Sequence, residues 1–231
     1  MIRPLIKLFS VPEVRKRLAF TAMMLVICRI GSFIPVPGIN GDEAVRVFEF
    51  ALGGGQNLFQ LVDIFSGGAF AQMTIFALGV MPYISASIIL QLMVALVPSI
   101  QREMRESSDQ GKKKVGRWTR LLTVALALFQ AALFGKYVLS LNASHPGIIV
   151  PEILSVTIFG FPILYFALIT AAMGAGTVFL MWVGEQITDR GIGNGMSLII
   201  ALGILSSIPT TIGTIIGNLN LDSQEAGTLS L

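Results

Sequence analysis

The chain has 231 residues, of which 54% are hydrophobic and only 13% are charged, and its formal net charge is +3. A soluble domain carries about 25% charged residues, so this composition excludes an ordinary soluble protein and predicts an all-α polytopic membrane protein. The single cysteine, Cys28, excludes an intrachain disulfide, and the lack of metal-ligand clusters or catalytic pairs predicts no enzyme activity, no metal site and no cofactor.

Residues 1–17 come before the first apolar run and predict a short cytoplasmic, amphipathic N-terminus. Leu5, Leu8 and Phe9 share one face of a helix drawn through this segment. One interpretation is an interfacial anchor on anionic lipids. The other is a frayed terminus whose charges only fix the topology.

Five apolar runs follow, and each is long enough to cross a bilayer. They extend from Leu18 to about Pro37, from about Ala69 to Val97, from Leu121 to Leu141, from about Ile153 to Val183 and from about Met196 to Gly217. We therefore expect five transmembrane helices within residues 18–217. Arg29 lies inside the first run, where an arginine is a candidate functional residue; a structural role, in which it pairs with backbone carbonyls, fits equally well.

A short segment between the first two runs is bracketed by glycines and reads GGGQNLFQLVDIFSGG (53–68). Leu58, Leu61, Val62 and Phe65 follow the helical i, i+3, i+4, i+7 spacing, which predicts a short helix with one apolar face. A broken helix at membrane depth must be buried in protein or line a cavity. Two interpretations stay open: a re-entrant half-helix in a pore mouth, and an amphipathic helix on the outer leaflet.

The second run contains Pro82, which lacks a backbone N–H and predicts a kink in the helix. Five residues at three- and four-residue steps lie on one face of this helix: Val80, Ile84, Ser87, Ile88 and Gln91. An apolar constriction flanked by wettable groups would gate a pore by dewetting. The alternative is a face that packs on a neighbouring helix, with its polar groups hydrogen-bonded there.

Basic residues are concentrated in alternate loops, which indicates the orientation in the membrane. Thirteen of the 16 lysines and arginines lie before the first run, in the loop 98–120 or in the loop 184–195. We therefore expect a cytoplasmic N-terminus and an extracytoplasmic tail, 218–231. The loops either fix topology or form a docking surface for an anionic partner. The candidate docking residues are Arg102, Arg105, Lys112, Lys113, Lys114, Arg117, Arg120 and Arg190.

Three long strings closely resemble the bacterial SecY family. They read RIGSFIPVPGIN (29–40), FSGGAFAQMTIFALGVMPYISASIILQL (65–92) and MWVGEQITDRGIGNGMSLII (181–200). The resemblance implies the N-terminal half of a ten-helix channel built from two inverted five-helix halves. It also implies the function of the family: a central subunit of the Sec translocon that passes unfolded secretory polypeptides across the bacterial plasma membrane and releases transmembrane helices into it.

The resemblance also implies roles for particular residues. A ring of aliphatic side chains at the narrow point of the pore would comprise Val80, Ile84, Met196 and Ile200. A plug helix at about 56–66, with its following glycines, would include Leu58, Leu61, Val62, Ile64, Phe65, Gly67 and Gly68. This half of the lateral gate would include Ser87, Ile88 and Gln91.

The family further implies SecE and SecG as partner subunits, a nascent polypeptide in the pore, and either a SecA motor or a translating ribosome on the cytoplasmic loops. Because the chain shows five spans and the family has ten, one alternative is a truncated or partly synthesised chain that is a client of the membrane-insertion machinery. A secondary transporter is disfavoured because no span carries an acidic residue.

Overall fold

The computed structural model describes residues 11–51, 58–98, 101, 108–155, 157 and 162–218. Its helices are α1 (Pro12–Gly31), α2 (Gly41–Ala51), α3 (Leu58–Ser66), α4 (Met81–Leu96), α5 (Ser108–Ser144), α6 (Pro151–Leu154), α7 (Ile163–Arg190) and α8 (Gly195–Asn218). No strand occurs within these ranges, where β pairing consists of the isolated bridges Pro35–Thr74 and Ile39–Ile149. The all-α class is confirmed.

Two described helices are long and apolar enough to cross a membrane, Lys113–Ser144 within α5 and Ile163–Arg190, which is α7. Met81–Leu96 and the Gly195–Pro209 part of α8 are also apolar but shorter. The count of five transmembrane helices therefore stays a prediction. Most of the predicted N-terminal amphipathic segment and nearly all of the tail 218–231 lie outside the described residues.

The second apolar run is not one helix, and the prediction of a kinked helix from about Ala69 is wrong. Residues 67–80 form a succession of turns, and α4 begins only at Met81. Pro82 lies in the first turn of α4, where the missing N–H has no intrahelical acceptor to lose. The proline therefore starts the helix and does not bend it.

The predicted cytoplasmic loops are shorter than expected. Helix α5 already begins at Ser108, so the second half of the predicted loop 98–120 is helical. Helix α7 continues to Arg190, so only residues 191–194 separate it from α8. At its other end α7 begins at Ile163, ten residues later than the predicted span from about Ile153. Periodicity could not separate α6 from α7 because both are apolar.

The irregular segment 67–80 lies inside the molecule and joins its two apolar clusters. Phe70 and Met73 belong to the first cluster, with residues of α2, α5 and α7, whereas Phe76 and Val80 belong to the second, with residues of α1, α7 and α8. The segment fits closely, since a side chain at Gly176 of α7 would overlap the backbone of this segment. The fold thus forms a frame, of which α5 and α7 are the longest members, around a buried, non-helical segment.

Backbone hydrogen bonds satisfy the polar groups of this segment in the absence of a helix. The N–H of Ile75 donates to the carbonyl of Ile34 at 3.0 Å, and the N–H of Val36 donates to the carbonyl of Met73 at 3.1 Å. Buried backbone groups must be paired in this way. The stretch that follows α1 therefore helps to hold residues 67–80 in place.

Candidate functional site

Helix α3 ends in a glycine cap. The N–H of Gly68 donates to the carbonyl of Asp63 at 3.0 Å, and the N–H of Gly67 donates to the carbonyl of Ile64 at 3.2 Å. These are the two bonds of a Schellman motif, which needs a left-handed residue after the helix. Gly67 supplies it with φ of 68°, and Gly68 continues with φ of 88°. The predicted break at Gly67-Gly68 is confirmed.

Two side chains of α3 tie this cap to the segment that follows. The Asp63 carboxylate accepts the N–H of Ala71 at 2.8 Å, and the Ser66 hydroxyl accepts the N–H of Phe70 at 3.0 Å. Burial raises the pKa of the Asp63 carboxyl, and the bonds from Ala71, Phe70 and Ser66 partly oppose this rise. The turn from α3 into the buried segment is therefore specified by side chains as well as by glycine.

Helix α3 packs on α8 with almost no space between the two backbones. A Cβ atom at Gly203 of α8 would overlap the carbonyl oxygen of Phe65, and one at Gly67 would lie 3.1 Å from the Cα of Gly203. Small residues permit such close helix contacts. Helix α8 therefore forms the seat on which the end of α3 rests.

Arg29, near the end of α1, reaches the same turn. Its Nη1 donates to the carbonyl of Gly67 at 2.8 Å, and its guanidinium lies 4.7 Å from the centroid of the Phe33 ring. Of the two roles considered for this arginine, the structure shows the pairing with a backbone carbonyl.

The aliphatic residues predicted to form a ring are brought together only in part. Val80, Ile84 and Ile200 line a cavity of ≈ 20 Å³ together with Val62 and Phe65 of α3. The short helix and three of the four predicted ring residues therefore border one enclosed space. The chain thus brings one side of α3 against the aliphatic side chains of Val80, Ile84 and Ile200.

Met196, the fourth predicted ring residue, does not line this cavity, although it belongs to the same apolar cluster as the other three. It is buried in the second apolar cluster, and a Cβ atom at Gly184 of α7 would lie 2.7 Å from its sulfur. Its place in the ring stays a prediction, because in this structure its side chain fills the gap that Gly184 leaves between α7 and α8.

The predicted gate residues lie on the open side of α4. Ile88 is 52% exposed, and the Gln91 amide donates to the Ser87 hydroxyl at 2.8 Å, one turn away on the same helix. Among the predicted plug residues, Ile64 and Phe65 are largely exposed. The side chains of Leu58 and Leu61 lie outside the described residues.

Most of the described basic residues gather at one end of the helices, whereas Arg29, Arg46 and Lys136 lie elsewhere. Arg120 of α5 pairs with Glu185 of α7 at 2.7 Å, and the Thr21 hydroxyl of α1 accepts the N–H of Ile192 at 3.2 Å. These contacts place the start of α5, the end of α7 and the first half of α1 side by side. Four exposed basic side chains lie around these contacts: Lys113, Lys114, Arg117 and Arg190. Arg102, Arg105 and the side chain of Lys112 lie outside the described residues.

Reasoning from the sequence missed three contributors to this site. Asp63 and Thr21 are polar residues in apolar surroundings, and this is the only signal that could have indicated them. Gly203 lies in an apolar helix, where a small residue indicates a close helix contact without naming its partner.

Comparisons with known proteins agree with this arrangement. The family model named SecY matches residues 74–230. Protein translocase subunit SecY of Chlamydia trachomatis is 59% identical over 219 residues, which cover 95% of this chain and 48% of that protein. The Aquifex aeolicus protein of the same name is 44% identical and is covered over 45% of its length. The chain thus spans about half the length of these curated relatives.

Two solved structures show the same fold. One is described as a protein conducting channel, with a TM-score of 0.59 and 22% identity, over 92% of this chain and 45% of the other. The second is Sec61 in the canine ribosome-channel complex from the endoplasmic reticulum, with a TM-score of 0.58, 22% identity and the same coverage. The family match over most of its length and the high identity to its relatives together show that this chain belongs to the SecY family.

Proposed function

We propose that this chain forms the N-terminal half of the central subunit of a Sec protein-translocation channel in the bacterial plasma membrane. The observation that carries the proposal is the position of α3, whose Val62 and Phe65 border the same cavity as Val80, Ile84 and Ile200. A short helix between glycine breaks, seated over an aliphatic constriction, is suited to seal a pore and to leave it. Helix α3 is then the plug of the resting channel.

The aliphatic constriction suits a channel for unfolded polypeptides. Branched apolar side chains offer no hydrogen bonds, so they favour no particular sequence, and they resist the passage of hydrated ions when they close. No group in this cavity supplies chemical work, so the driving force would come from a partner, and the chain acts as a channel and not as an enzyme. The exposed side of α4, with Ile88 and Gln91, would form this half of the lateral gate.

The basic end of the helices would face the cytoplasm and bind the partner that drives transport. Concentrated lysine and arginine favour the cytoplasmic side of a membrane, which puts the N-terminus inside and residues 218–231 outside. A translating ribosome or a SecA motor presents the large anionic surface that such a patch attracts. SecE and SecG would complete the channel, and anionic lipids would line its cytoplasmic rim.

A conductance measurement on the assembled channel tests the proposal. The full channel containing this chain would be placed in a planar bilayer without substrate, as wild type and as Ile84→Lys and Ile200→Lys. We expect both variants to raise the resting conductance, because a lysine wets the constriction. Ile192→Lys, at an exposed position between α7 and α8, is the matched control and should leave it unchanged.

A secretion assay with a preprotein substrate provides the second measurement. Both ring variants should alter the rate at which the substrate crosses the membrane. Wild-type conductance and wild-type secretion in both ring variants would show that these residues do not form the constriction.

A further inference from the structure

Arg29 is a charged residue in an apolar helix, and its side-chain hydrogen bond goes to the end of α3. The bond from its Nη1 to the carbonyl of Gly67 spans 38 positions in the sequence and measures 2.8 Å. The bond is partly buried, and a charged donor makes it stronger than a bond between neutral groups. The phenyl ring of Phe33, one turn further along the chain, lies 4.7 Å from the guanidinium carbon and holds the arginine in this orientation.

The acceptor is the residue on which the position of α3 depends. Gly67 is the left-handed residue of the Schellman cap, so the bond from Arg29 fixes the backbone at the point where α3 turns into the buried segment. The negative end of the α3 dipole also points here, so the positive charge is favoured at this place. The same guanidinium would lie 3.2 Å from a Cβ atom added at Gly67, which shows how closely the two chains fit.

No carboxylate of the described residues forms an ion pair with Arg29. Two ion pairs within the described ranges join Arg46 to Glu43 and Arg120 to Glu185, and both lie elsewhere. A guanidinium in apolar surroundings needs partners for its donors. The Gly67 carbonyl and the Phe33 ring are those partners. A displacement of α3 that carries the Gly67 carbonyl with it removes the hydrogen-bonded partner, whereas Phe33, which follows α1, stays in place.

We propose that Arg29 is a positioning residue that fastens the C-terminal hinge of α3 and thereby holds the plug over the aliphatic constriction. The inference rests on the proposed function, in which α3 is the plug. It adds a second contact to the one at Gly203: α8 provides the surface on which α3 lies, and α1 provides the bond that keeps it there. A displacement of α3 that lengthens this bond beyond 3.5 Å would break it.

The test measures the position of α3 and the seal separately, in the assembled channel that contains this chain. Spin labels at Ile64 of α3 and Leu133 of α5, both exposed, report the distance between the plug and the frame. Resting conductance in a planar bilayer reports the seal. The variants are Arg29→Gln, Arg29→Lys, Phe33→Leu and, as the matched control, Arg46→Gln on exposed α2.

We expect one narrow distance distribution in the wild type and in Arg46→Gln. Arg29→Gln should show a second, displaced population and a resting conductance raised roughly tenfold, the effect of losing a bond worth about 1.4 kcal/mol. Arg29→Lys keeps the charge but not the fork of donors, so it should show a several-fold rise. Phe33→Leu should show a smaller rise than Arg29→Gln, because it removes only the ring.

Each result bears on one of the two proposals. A displaced α3 with wild-type conductance supports the latch and overturns the role of α3 as the seal. A wild-type distance and a wild-type conductance in Arg29→Gln overturn the latch. If Arg29→Gln does not accumulate in the membrane, Arg29→Lys decides in its place, and wild-type values in that variant overturn the latch.

Discussion

The contact between α3 and α8 leads to the sharpest prediction, the substitution Gly203→Ala. A Cβ atom at this position would overlap the carbonyl oxygen of Phe65 and lie 3.2 Å from the carbonyl carbon, and these are backbone atoms that no change of rotamer can move away. Overpacking of this kind costs typically about 1–3 kcal/mol. The cost applies only while α3 is seated, because the clash disappears when α3 moves off α8.

The same substitution stabilises α8 in both positions of α3. Alanine in a helix interior is favoured over glycine by about 1 kcal/mol, and this gain does not depend on where α3 lies. We therefore expect a normal or slightly raised thermal stability. The equilibrium between seated and displaced α3 should shift by about 2 kcal/mol toward the displaced position, which raises the population of that position roughly 30-fold. This combination of results separates loss of the seat from general unfolding.

The assay is the resting conductance of the assembled channel in a planar bilayer, accompanied by a thermal unfolding curve in detergent. Gly116→Ala in α5 is the matched control, since a Cβ atom there would meet nothing within 4 Å. It should raise stability by about 0.5–1 kcal/mol and leave the conductance unchanged. If Gly203→Ala and Gly116→Ala gave the same conductance, the close seating of α3 on α8 would not contribute to closing the channel.

Three further predictions concern the frame, the cap and the basic end. Gly176→Ala places a Cβ atom against the backbone of Ile75 in the buried segment; because that segment cannot move away, it should lower the free energy of unfolding by about 1–3 kcal/mol in a detergent melt. For Asp63, folding raises the carboxyl pKa through burial, so the contribution of this group to stability is fully present below its unfolded pKa and is lost as the pH rises through the folded pKa. Asp63→Asn keeps an acceptor for the N–H of Ala71 and stays neutral at every pH. The stability of this variant relative to the wild type should therefore rise from pH 4 to pH 7 in melts of both proteins. A stability difference that stays constant over this pH range would contradict this. The double variant Lys113→Glu with Arg117→Glu should weaken ribosome binding several-fold at low salt and less at high salt, because salt screens exposed charges. Sedimentation with ribosomes at two salt concentrations measures this binding. An equal loss of binding at both concentrations would indicate a different cause.

The sequence predicted elements well where one periodicity continued over many residues. Helix α8 begins within one residue of the predicted start at Met196, and the short helix α3 ends at the predicted glycine pair. Glycine at a left-handed position and helical apolar spacing are local properties, so they can be read without knowledge of the neighbours. The end of α3 and the start of α8 carry most of the candidate site, and both could be predicted from these local properties.

The segment 67–80 was not predictable on the same grounds. It is as apolar as a transmembrane helix, and apolarity alone does not indicate whether the backbone is helical. Its backbone turns are made possible by hydrogen bonds from the stretch after α1 and by the gap at Gly176, which are contacts distant in sequence. Pro82 was informative, but it is compatible with a kink as well as with a first turn, and only the preceding turns decide between the two.

The contrast in burial between α3 and the segment that follows it fits the proposed division into a fixed frame and a movable plug. None of the α3 side chains described from Val62 to Ser66 is fully buried, whereas Ala69 and Phe70 directly afterwards are. A fully buried large apolar side chain contributes about 1.5–3 kcal/mol to stability, so moving the buried segment 67–80 out of its place would lose the contributions of several such side chains at once. Helix α3 is held instead by the seat on α8, the glycine cap and the bond from Arg29. Each is a contact of modest strength at one end of the helix, and together they allow α3 to be released as a unit while the cap still connects it to the frame.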